Sequence, residues 1–166
     1  ERPAEVEDRT VPGHWEGDLI LGKYKCSALG TLVERTTRYT ILVPLGDKKD
    51  AESVRIAYAE AFKSVPEALK RSLTYDQGKE MSQHEKFTID SGIQVYFAHP
   101  SSPWERGTNE NTNGLVRQYF PKGTDFTQVT DERIKEVQDL LNDRPRAVLN
   151  YYKPDEVFNK LVALNL

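Results

Sequence analysis

The chain has 166 residues, 37% of them hydrophobic, and its 23 basic and 26 acidic side chains give a net charge of −3. This length fits one domain, and the apolar content is enough for a core and argues against global disorder. The slightly acidic balance excludes an obviously basic nucleic-acid coat, but it does not exclude an enzyme that acts on nucleic acid.

The single cysteine and the lack of long apolar runs exclude further classes of protein. Cys26 has no thiol partner, which excludes an internal disulfide and a cysteine-rich zinc site. We interpret it as a small apolar residue in a reducing, intracellular setting. No apolar run approaches the roughly 18 residues needed to span a membrane. Residues 1–10 are charged and carry no signal-peptide pattern.

The first part of the chain is predicted to be a β-meander. Residues 1–13 contain Pro3, Pro12 and Gly13 and are interpreted as a linker or irregular arm, so the domain proper is assigned to residues 14–166. Three runs rich in β-forming residues predict strands that short connections would pair antiparallel. These predicted strands cover residues 15–21, 27–34 and 38–45.

Helical periodicity begins after residue 50. Apolar residues recur at i, i+3, i+4 and i+7 from Val54 to Val65, with Asp50 as the N-cap and Pro66 as the end of the helix. Capping signals predict a short helix between Ser82 and Gly92. Two further strands are predicted at residues 71–75 and 93–98, and further helices at 108–119, at 130–143 and from Pro154 onward.

The predicted order β-β-β-α-β-α-β-α-α-α indicates an α/β fold. A three-strand meander followed by β-α-β crossovers gives a five-stranded mixed sheet with helices on both faces. Five strands in this order match a ribonuclease H-like core.

Three acidic residues fall where one crevice could collect them. Asp18 lies inside the first strand, where Asp is rare and a buried carboxylate is costly unless it is paired or bound to a metal. Asp76 follows the fourth strand, at a switch point of the sheet if the first and fourth strands are adjacent and parallel. Glu110 lies near the start of the helix after the fifth strand, on one face with Asn113 or Gly114.

Each of these acids alone has an ordinary structural explanation. Asp18 could occupy a bulge or an edge strand, Asp76 could be an ordinary turn residue, and Glu110 could be a solvated helix residue. Together, three carboxylates at one end of the sheet would hold two divalent cations, Mg²⁺ or Mn²⁺. Two such ions about 4 Å apart can activate a nucleophile and stabilise a leaving oxygen in an in-line phosphoryl displacement.

Three separated motifs give the chain a specific resemblance to a known family. Residues 102–123 (SPWERGTNENTNGLVRQYFPKG) look very like the catalytic-Glu motif of bacterial insertion-sequence-thirty family transposases. Residues 15–20 (WEGDLI) and 31–35 (TLVER) resemble the family's first-acid region. Residues 141–146 (LNDRPR) through 154–158 (PDEVF) resemble its C-terminal end. The resemblance covers roughly residues 12–160.

The resemblance implies a retroviral integrase-like catalytic core with Asp18, Asp76 and Glu110 as its DDE triad and metal ligands. The 33 residues between Asp76 and Glu110 are the spacing that this triad implies. Family members often have Asn where this chain has Gln77, and Asn is common at the position of Asp143. The family's helix-turn-helix DNA-binding region precedes the catalytic core. Its absence here, with a start at Glu1, predicts an isolated catalytic domain of a longer protein.

The leading hypothesis is therefore a Mg²⁺-dependent DNA transposase core that cleaves transposon ends and transfers the freed 3′-hydroxyl to target DNA. An alternative enzyme is a ribonuclease H-like nuclease that only hydrolyses. Another alternative is a non-catalytic DNA-binding or dimerisation module. We expect DNA as partner, self-association of the full-length protein, no membrane, and a location in the bacterial cytoplasm near the nucleoid.

Further polar residues are candidates for DNA contacts. Arg144 and Arg146 flank Pro145 and could contact phosphates or act as structural ion-pair partners. The three histidines, at positions 14, 84 and 99, have no metal-ligand spacing. The loop before Glu110 has the composition of loops that close over DNA, with packing of its tryptophan against the core as the alternative. The predicted DNA-binding residues are Trp104, Arg106, Asn113, Arg117 and Lys122.

Overall fold

A computed structural model of the chain describes residues 11–75, 91–97 and 107–164, with side chains for all of these except 107–110. Within these residues, five strands form one mixed sheet in the order β3-β2-β1-β4-β5. The strands are β1 (His14–Leu21), β2 (Ala28–Glu34), β3 (Thr40–Gly46), β4 (Ser72–Tyr75) and β5 (Gln94–Phe97).

The residues that the structure describes also form four α-helices and three short 3₁₀ helices. Each described α-helix is too short or too polar to cross a membrane. The α-helices are α1 (Ala51–Phe62), α2 (Gly107–Val116), α3 (Asp131–Asn142) and α4 (Pro154–Leu164), and the 3₁₀ helices are Lys23–Lys25, Glu67–Leu69 and Ala147–Leu149.

Pairing within the sheet confirms the predicted meander and crossover. β1 pairs antiparallel with β2, and β2 pairs antiparallel with β3. β1 and β4 are adjacent and parallel, with Glu16 opposite Thr74, and β4 is parallel to β5. The carboxyl ends of β1 and β4 therefore lie at the same end of the sheet. The sequence analysis required this arrangement for a ligand crevice beside Asp76, the residue that follows Tyr75 in the sequence.

Alternation along the strands divides the core into two layers, one on each face of the sheet. Trp15 belongs to the layer under α1 and α4, where it packs edge-on against Phe62 and Phe158. Ile20 belongs to the layer under α2 and α3, together with Val116 and Val137. Because side chains on a strand alternate, the even-numbered positions of β1 face α2 and α3. Asp18 is one of these positions.

The edge strand β3 is covered by side chains from α3. Asn142 accepts a hydrogen bond from the backbone N–H of Thr40 (2.9 Å) and donates one to its carbonyl (2.8 Å). One turn earlier, Gln138 Oε1 accepts from the backbone N–H of Leu42 (2.9 Å). The next position of the same parity is Pro44, which has no N–H to donate. These contacts satisfy backbone groups that an edge strand otherwise exposes.

Three of the described helices begin at residues that favour a helix N-terminus. Asp50 is the N-cap of α1, as predicted, and accepts hydrogen bonds from the backbone N–H (3.1 Å) and hydroxyl (2.7 Å) of Ser53. Thr130 caps α3 through the N–H of Arg133, and α4 begins at Pro154 as predicted.

Several predicted boundaries differ from the structure for local reasons. β3 begins at Thr40 instead of residue 38, because Arg38 has a φ of 63° in the turn after β2. α1 ends at Phe62, before Pro66, where a tighter turn bonds the N–H of Lys63 to Glu60. Similar tight bonding beyond Val116 ends α2 before the predicted residue 119.

One residue has a different environment from the one predicted, and one element lies outside the described residues. Cys26 is exposed in the turn between β1 and β2, so its interpretation as a packed apolar residue was wrong. The tight turn that follows the 3₁₀ helix Lys23–Lys25 directs it to solvent. The helix predicted between Ser82 and Gly92 lies largely outside the described residues.

Candidate active site

Asp18 lies in the middle of β1, opposite Thr31 of β2, with its half-buried side chain on the face of the sheet that α2 covers. Its Oδ1 accepts a hydrogen bond from the backbone N–H of Leu19 (2.8 Å). A carboxylate in the central part of a sheet needs such donors, because burial without them is costly. This hydrogen bond therefore orients the Asp18 carboxylate, which remains partly exposed to solvent.

Asn113 connects this carboxylate to α2. Its Nδ2 donates to Oδ2 of Asp18 over 3.0 Å, and its Oδ1 accepts from the Thr31 hydroxyl over 3.3 Å. The amide thus joins neighbouring residues of β1 and β2 to one position on the helix. Glu110 precedes Asn113 by three residues in α2, which places both on one face of the helix.

Tyr58 supports β1 from the opposite side of the sheet. Its hydroxyl donates to the backbone carbonyl of Asp18 over 2.7 Å. The ring reaches this carbonyl across Gly30 of β2, where a Cβ would lie only 2.6 Å from Tyr58 Cε1. The backbone at Asp18 is therefore held from one face by a tyrosine and its carboxylate from the other by an asparagine.

A second carboxylate on the same strand has a different role. Glu16 lies two residues before Asp18, and its Oε2 is 3.0 Å from Nε of Arg35, with the two side chains 0% and 1% exposed. Glu34 is likewise buried and accepts hydrogen bonds from the backbone N–H groups of Gly13, Thr36 and Thr37. The contacts of Glu16 and Glu34 are thus internal to the fold, whereas Asp18 is the half-buried acid of β1.

The structure describes the neighbourhood of the other two predicted acids only in part. Glu110 is in the first turn of α2, but its side chain lies outside the described part, as does all of Asp76. Among the side chains that are described, no three His, Cys, Asp or Glu residues cluster closely enough to hold a metal ion. The chemistry of Asp18 fits Mg²⁺ or Mn²⁺, since these ions prefer carboxylate oxygen donors.

The predicted DNA contacts have diverse environments. Arg117 is half-buried, and its guanidinium donates to the carbonyls of Leu21 (2.9 Å) and Phe120 (3.5 Å), while burial lowers its pKa. Asn113 binds Asp18, as above, and Lys122 is exposed. Trp104 and Arg106 lie outside the described residues, so their contacts with DNA stay predictions.

Other polar residues named from the sequence also have defined places. His14 is buried, with its Nδ1 2.7 Å from the hydroxyl of Ser72 on the adjacent strand, so it is a satisfied core histidine. His84, His99 and Gln77 lie outside the described part of the chain. Asp143 pairs with Lys153 at 2.9 Å.

With this geometry established, comparison with known proteins places the chain in a family. Residues 8–103 match the integrase core domain family. The chain belongs to this family. Its first predicted acid, Asp18, and the strand that carries it lie within the matched part of this integrase core domain.

Several curated relatives of this integrase core domain are named transposases. The chain is 48% identical over 162 residues to the transposase for insertion sequence element IS1086 of Cupriavidus metallidurans, covering 98% of this chain and 48% of the relative. It is 49% identical over 164 residues to the transposase InsI for insertion sequence element IS30A of Escherichia coli K12, covering 99% and 42%. The predicted resemblance is thus confirmed, and the chain spans about half the length of these relatives.

Solved structures support the same fold. The catalytic core domain of BIV integrase superimposes with a TM-score of 0.65, covering 92% of this chain and 97% of that one at 15% sequence identity. At this identity the likeness concerns the fold alone, and it confirms the predicted ribonuclease H-like, retroviral integrase-like architecture of this integrase core domain.

Proposed function

We propose that this chain is the catalytic domain of a DNA transposase in which Asp18, Asp76 and Glu110 form the acidic, metal-binding triad. The observation that carries the proposal is the hydrogen bond from Asn113 to Asp18. It joins the strand that contains the first acid to the helix face that contains the third. The transposase names of relatives that are nearly half identical support the same activity.

Strand pairing supports the second acid. β1 and β4 are parallel neighbours with Glu16 opposite Thr74, and in the sequence Asp18 and Asp76 each follow two residues later. The last described residue of β4, Tyr75, is buried beneath this end of the sheet. The carboxyl end of a parallel strand, beside a second strand with an acid, is the usual place for a ligand crevice in an open α/β sheet.

The triad would bind two Mg²⁺ or Mn²⁺ ions, which when bound activate the nucleophile and stabilise the leaving oxygen of a phosphodiester. The protein's contribution is orientation. Asn113 and the Leu19 N–H fix the rotation of the Asp18 carboxylate, and Tyr58 holds the backbone beneath it. A carboxylate held in this way loses little freedom when it binds a metal ion, which supports Asp18 as a ligand that is oriented before DNA binds.

The proposed activity has two displacements on DNA: hydrolysis at the transposon end, and attack of the freed 3′-hydroxyl on target DNA. Both are in-line substitutions at phosphorus, so one set of carboxylates can serve both. We propose further that the full-length protein works on DNA in the bacterial cytoplasm and associates with itself, since transposition brings two ends together.

The test is metal-dependent nicking of supercoiled plasmid by the 166-residue chain and by Asp18→Asn, Asp76→Asn and Glu110→Gln variants. Each variant should lose nicking in Mn²⁺ by a factor of about 1,000 or more, because a metal ligand is removed while the shape of the side chain is kept. The control is Asp125→Asn in an exposed loop, which should nick like the wild type. Wild-type nicking by a well-folded Asp18→Asn protein would overturn the proposal.

Two further measurements separate the alternatives. An oligonucleotide with a free 3′-hydroxyl at a pre-cut end tests strand transfer into plasmid. Nicking without joining would indicate a nuclease that only hydrolyses. A lack of Mn²⁺ binding by calorimetry, with no nicking, would indicate a non-catalytic DNA-binding or dimerisation module.

A further inference from the structure

A buried arginine without an acceptor lies at the opposite end of α3 from its N-cap. Arg146 is only 8% exposed, and its Nε and Nη2 atoms are buried with no hydrogen-bond partner. Its backbone is fully used, since its carbonyl accepts from the N–H groups of Leu149 and Tyr151 and its N–H donates to Tyr152. The backbone is thus anchored while the described part of the chain supplies nothing for the guanidinium to bind.

This arrangement is unfavourable by itself. A guanidinium cannot lose its charge at neutral pH, and buried charges in proteins are normally paired or fully hydrogen-bonded. The sequence left open that Arg146 is an ion-pair partner, but no ion pair of Arg146 is found with the described acids. The nearest acid along the chain, Asp143, is bound to Lys153. The buried acid Glu34, on the neighbouring hairpin, is occupied by backbone N–H groups.

Two more arginines lie close to Arg146. Arg144 is two residues away, half-buried, and donates to the neutral Oε1 of Gln118 over 3.3 Å. The paired hydrogen bonds between Asn142 and Thr40 bring the end of α3 to the turn that contains Arg38. Burial lowers the pKa of Arg146, and the positive charges of Arg144 and Arg38 lower it further. Both neighbouring charges therefore disfavour the buried guanidinium of Arg146, and an anion beside it would relieve this repulsion.

We propose that Arg38, Arg144 and Arg146, the arginine site, bind a backbone phosphate of DNA. The Arg146 guanidinium would form the floor of the site by turning its orphaned Nε and Nη2 atoms out toward the phosphate, and the two half-buried arginines would form its rim. Guanidinium suits this ligand because its N–H groups pair with two phosphate oxygens at once. The inference rests on the proposed function only in its choice of DNA as the source of the phosphate.

The arginine site is separate from the catalytic carboxylates. Arg38 follows Glu34, which pairs with Trp15, and Asp18 lies three residues further along β1. At about 3.3 Å per residue this is a separation of roughly 10 Å along the strand. The phosphate held by the arginine site is therefore not the one that is cleaved. A contact of this kind positions the duplex without reading its sequence.

The first test is fluorescence anisotropy with a 30-base-pair labelled duplex, in EDTA so that no cleavage occurs, over a series of salt concentrations. Arg144→Gln and Arg38→Gln should each weaken binding about tenfold and reduce the slope of log K against log salt by about 1. The control is Arg133→Gln on the exposed side of α3, where the arginine pairs with Glu136. It should change neither quantity by more than about twofold.

Arg146 needs its own variants, because its loss could disturb folding. Arg146→Lys keeps the charge but loses the planar fork, so it should fold and weaken duplex binding. Thermal unfolding in sodium phosphate and in sodium chloride at equal ionic strength should show phosphate stabilisation of the wild type that is reduced in Arg146→Lys. Duplex binding equal to wild type in the Arg38, Arg144 and Arg146 variants would overturn the proposal. Phosphate stabilisation with unchanged duplex binding would indicate a free-phosphate site instead.

The test of the arginine site can fail or succeed independently of the test of the catalytic triad. Asp18→Asn should bind the duplex at least as tightly as the wild type, since it removes a negative charge. If Asp18→Asn still nicks plasmid, the triad is wrong while the anisotropy result stands. If the arginine variants bind normally while Asp18→Asn is inactive, the arginine site is wrong and the triad stands.

Discussion

Asn113 donates a 3.0 Å hydrogen bond from its Nδ2 to Oδ2 of Asp18, across 95 residues of sequence. The same amide accepts from the Thr31 hydroxyl, which fixes which way its oxygen and nitrogen face. Asn113 thus holds the carboxylate of Asp18, while its contact with DNA stays a prediction. This relationship makes the geometry of the site testable without touching any of the three acids.

Replacing Asn113 with alanine should weaken Mn²⁺ binding and slow plasmid nicking by about 10–100-fold, because partners of metal ligands contribute on this scale. Calorimetry in Mn²⁺ and the nicking assay measure the two effects. Gly114→Ala is the matched control, since a Cβ at that exposed neighbour meets nothing within 4 Å. If Asn113→Ala binds Mn²⁺ normally and binds DNA poorly, the residue contacts DNA and does not position Asp18.

The ion pair between Glu16 and Arg35 predicts a stability effect on the same strand. Arg35→Met removes the positive charge beside the buried Glu16 carboxylate and should lower the free energy of unfolding by about 3–5 kcal/mol. The double variant Glu16→Leu/Arg35→Met removes both charges and should recover most of this loss. Urea unfolding of the two single variants and the double variant measures the coupling. A double variant as unstable as Arg35→Met would show that the pair's charges are not what matters.

Close packing at Gly30 predicts that even one methyl group is not tolerated there. Gly30→Ala places a Cβ 2.6 Å from the Tyr58 ring and should destabilise the domain by about 1–3 kcal/mol through overpacking. Tyr58→Phe keeps the ring and removes the hydroxyl that donates to the Asp18 carbonyl, so about 1 kcal/mol should be lost. Thermal unfolding ranks the two. The assignment of Tyr58 as support for β1 would be contradicted by a Tyr58→Phe protein as stable as the wild type.

Covering of the edge strand by α3 predicts a further loss of stability. Asn142→Ala removes two hydrogen bonds to Thr40 and leaves buried backbone groups unsatisfied, at a cost of about 2–4 kcal/mol. Gln138→Ala removes one and should cost about half as much. Glu132→Ala on the exposed side of α3 should stay within about 0.5 kcal/mol of wild type. Equal effects of the three substitutions would mean that helix propensity, and not edge coverage, is being measured.

Most elements of the fold were predictable because their signals are local. Alternation in β1 and apolar periodicity in α1 and α3 depend only on neighbouring residues, and the β1-β2-β3 meander follows from short connections. Element ends were less predictable. An arginine side chain gives no signal for the φ of 63° that Arg38 adopts. Apolar periodicity in the sequence also continues through the tight turns that follow the last residue of a helix.

The three acids of the candidate site stay a prediction from the sequence, and the sequence does not indicate which residues hold Asp18. Glu16 and Asp18 lie on the same face of one strand, and only the packing of Arg35 beside Glu16 separates a structural acid from a candidate metal ligand. The role of Asn113 depends on the register between β1 and β2, which places Thr31 opposite Asp18. Its spacing of three residues from Glu110 was the available signal.

The covered edge of β3 also determines how copies of this chain can meet. With Thr40 and Leu42 bonded to α3 and Pro44 lacking a donor, a second molecule finds no row of free backbone groups there to extend the sheet. A continuous sheet running through two copies at β3 is thereby disfavoured, as is fibre growth from that side. In the self-association proposed for the full-length protein, DNA ends would then be brought together by side-chain contacts and not by a shared sheet at β3.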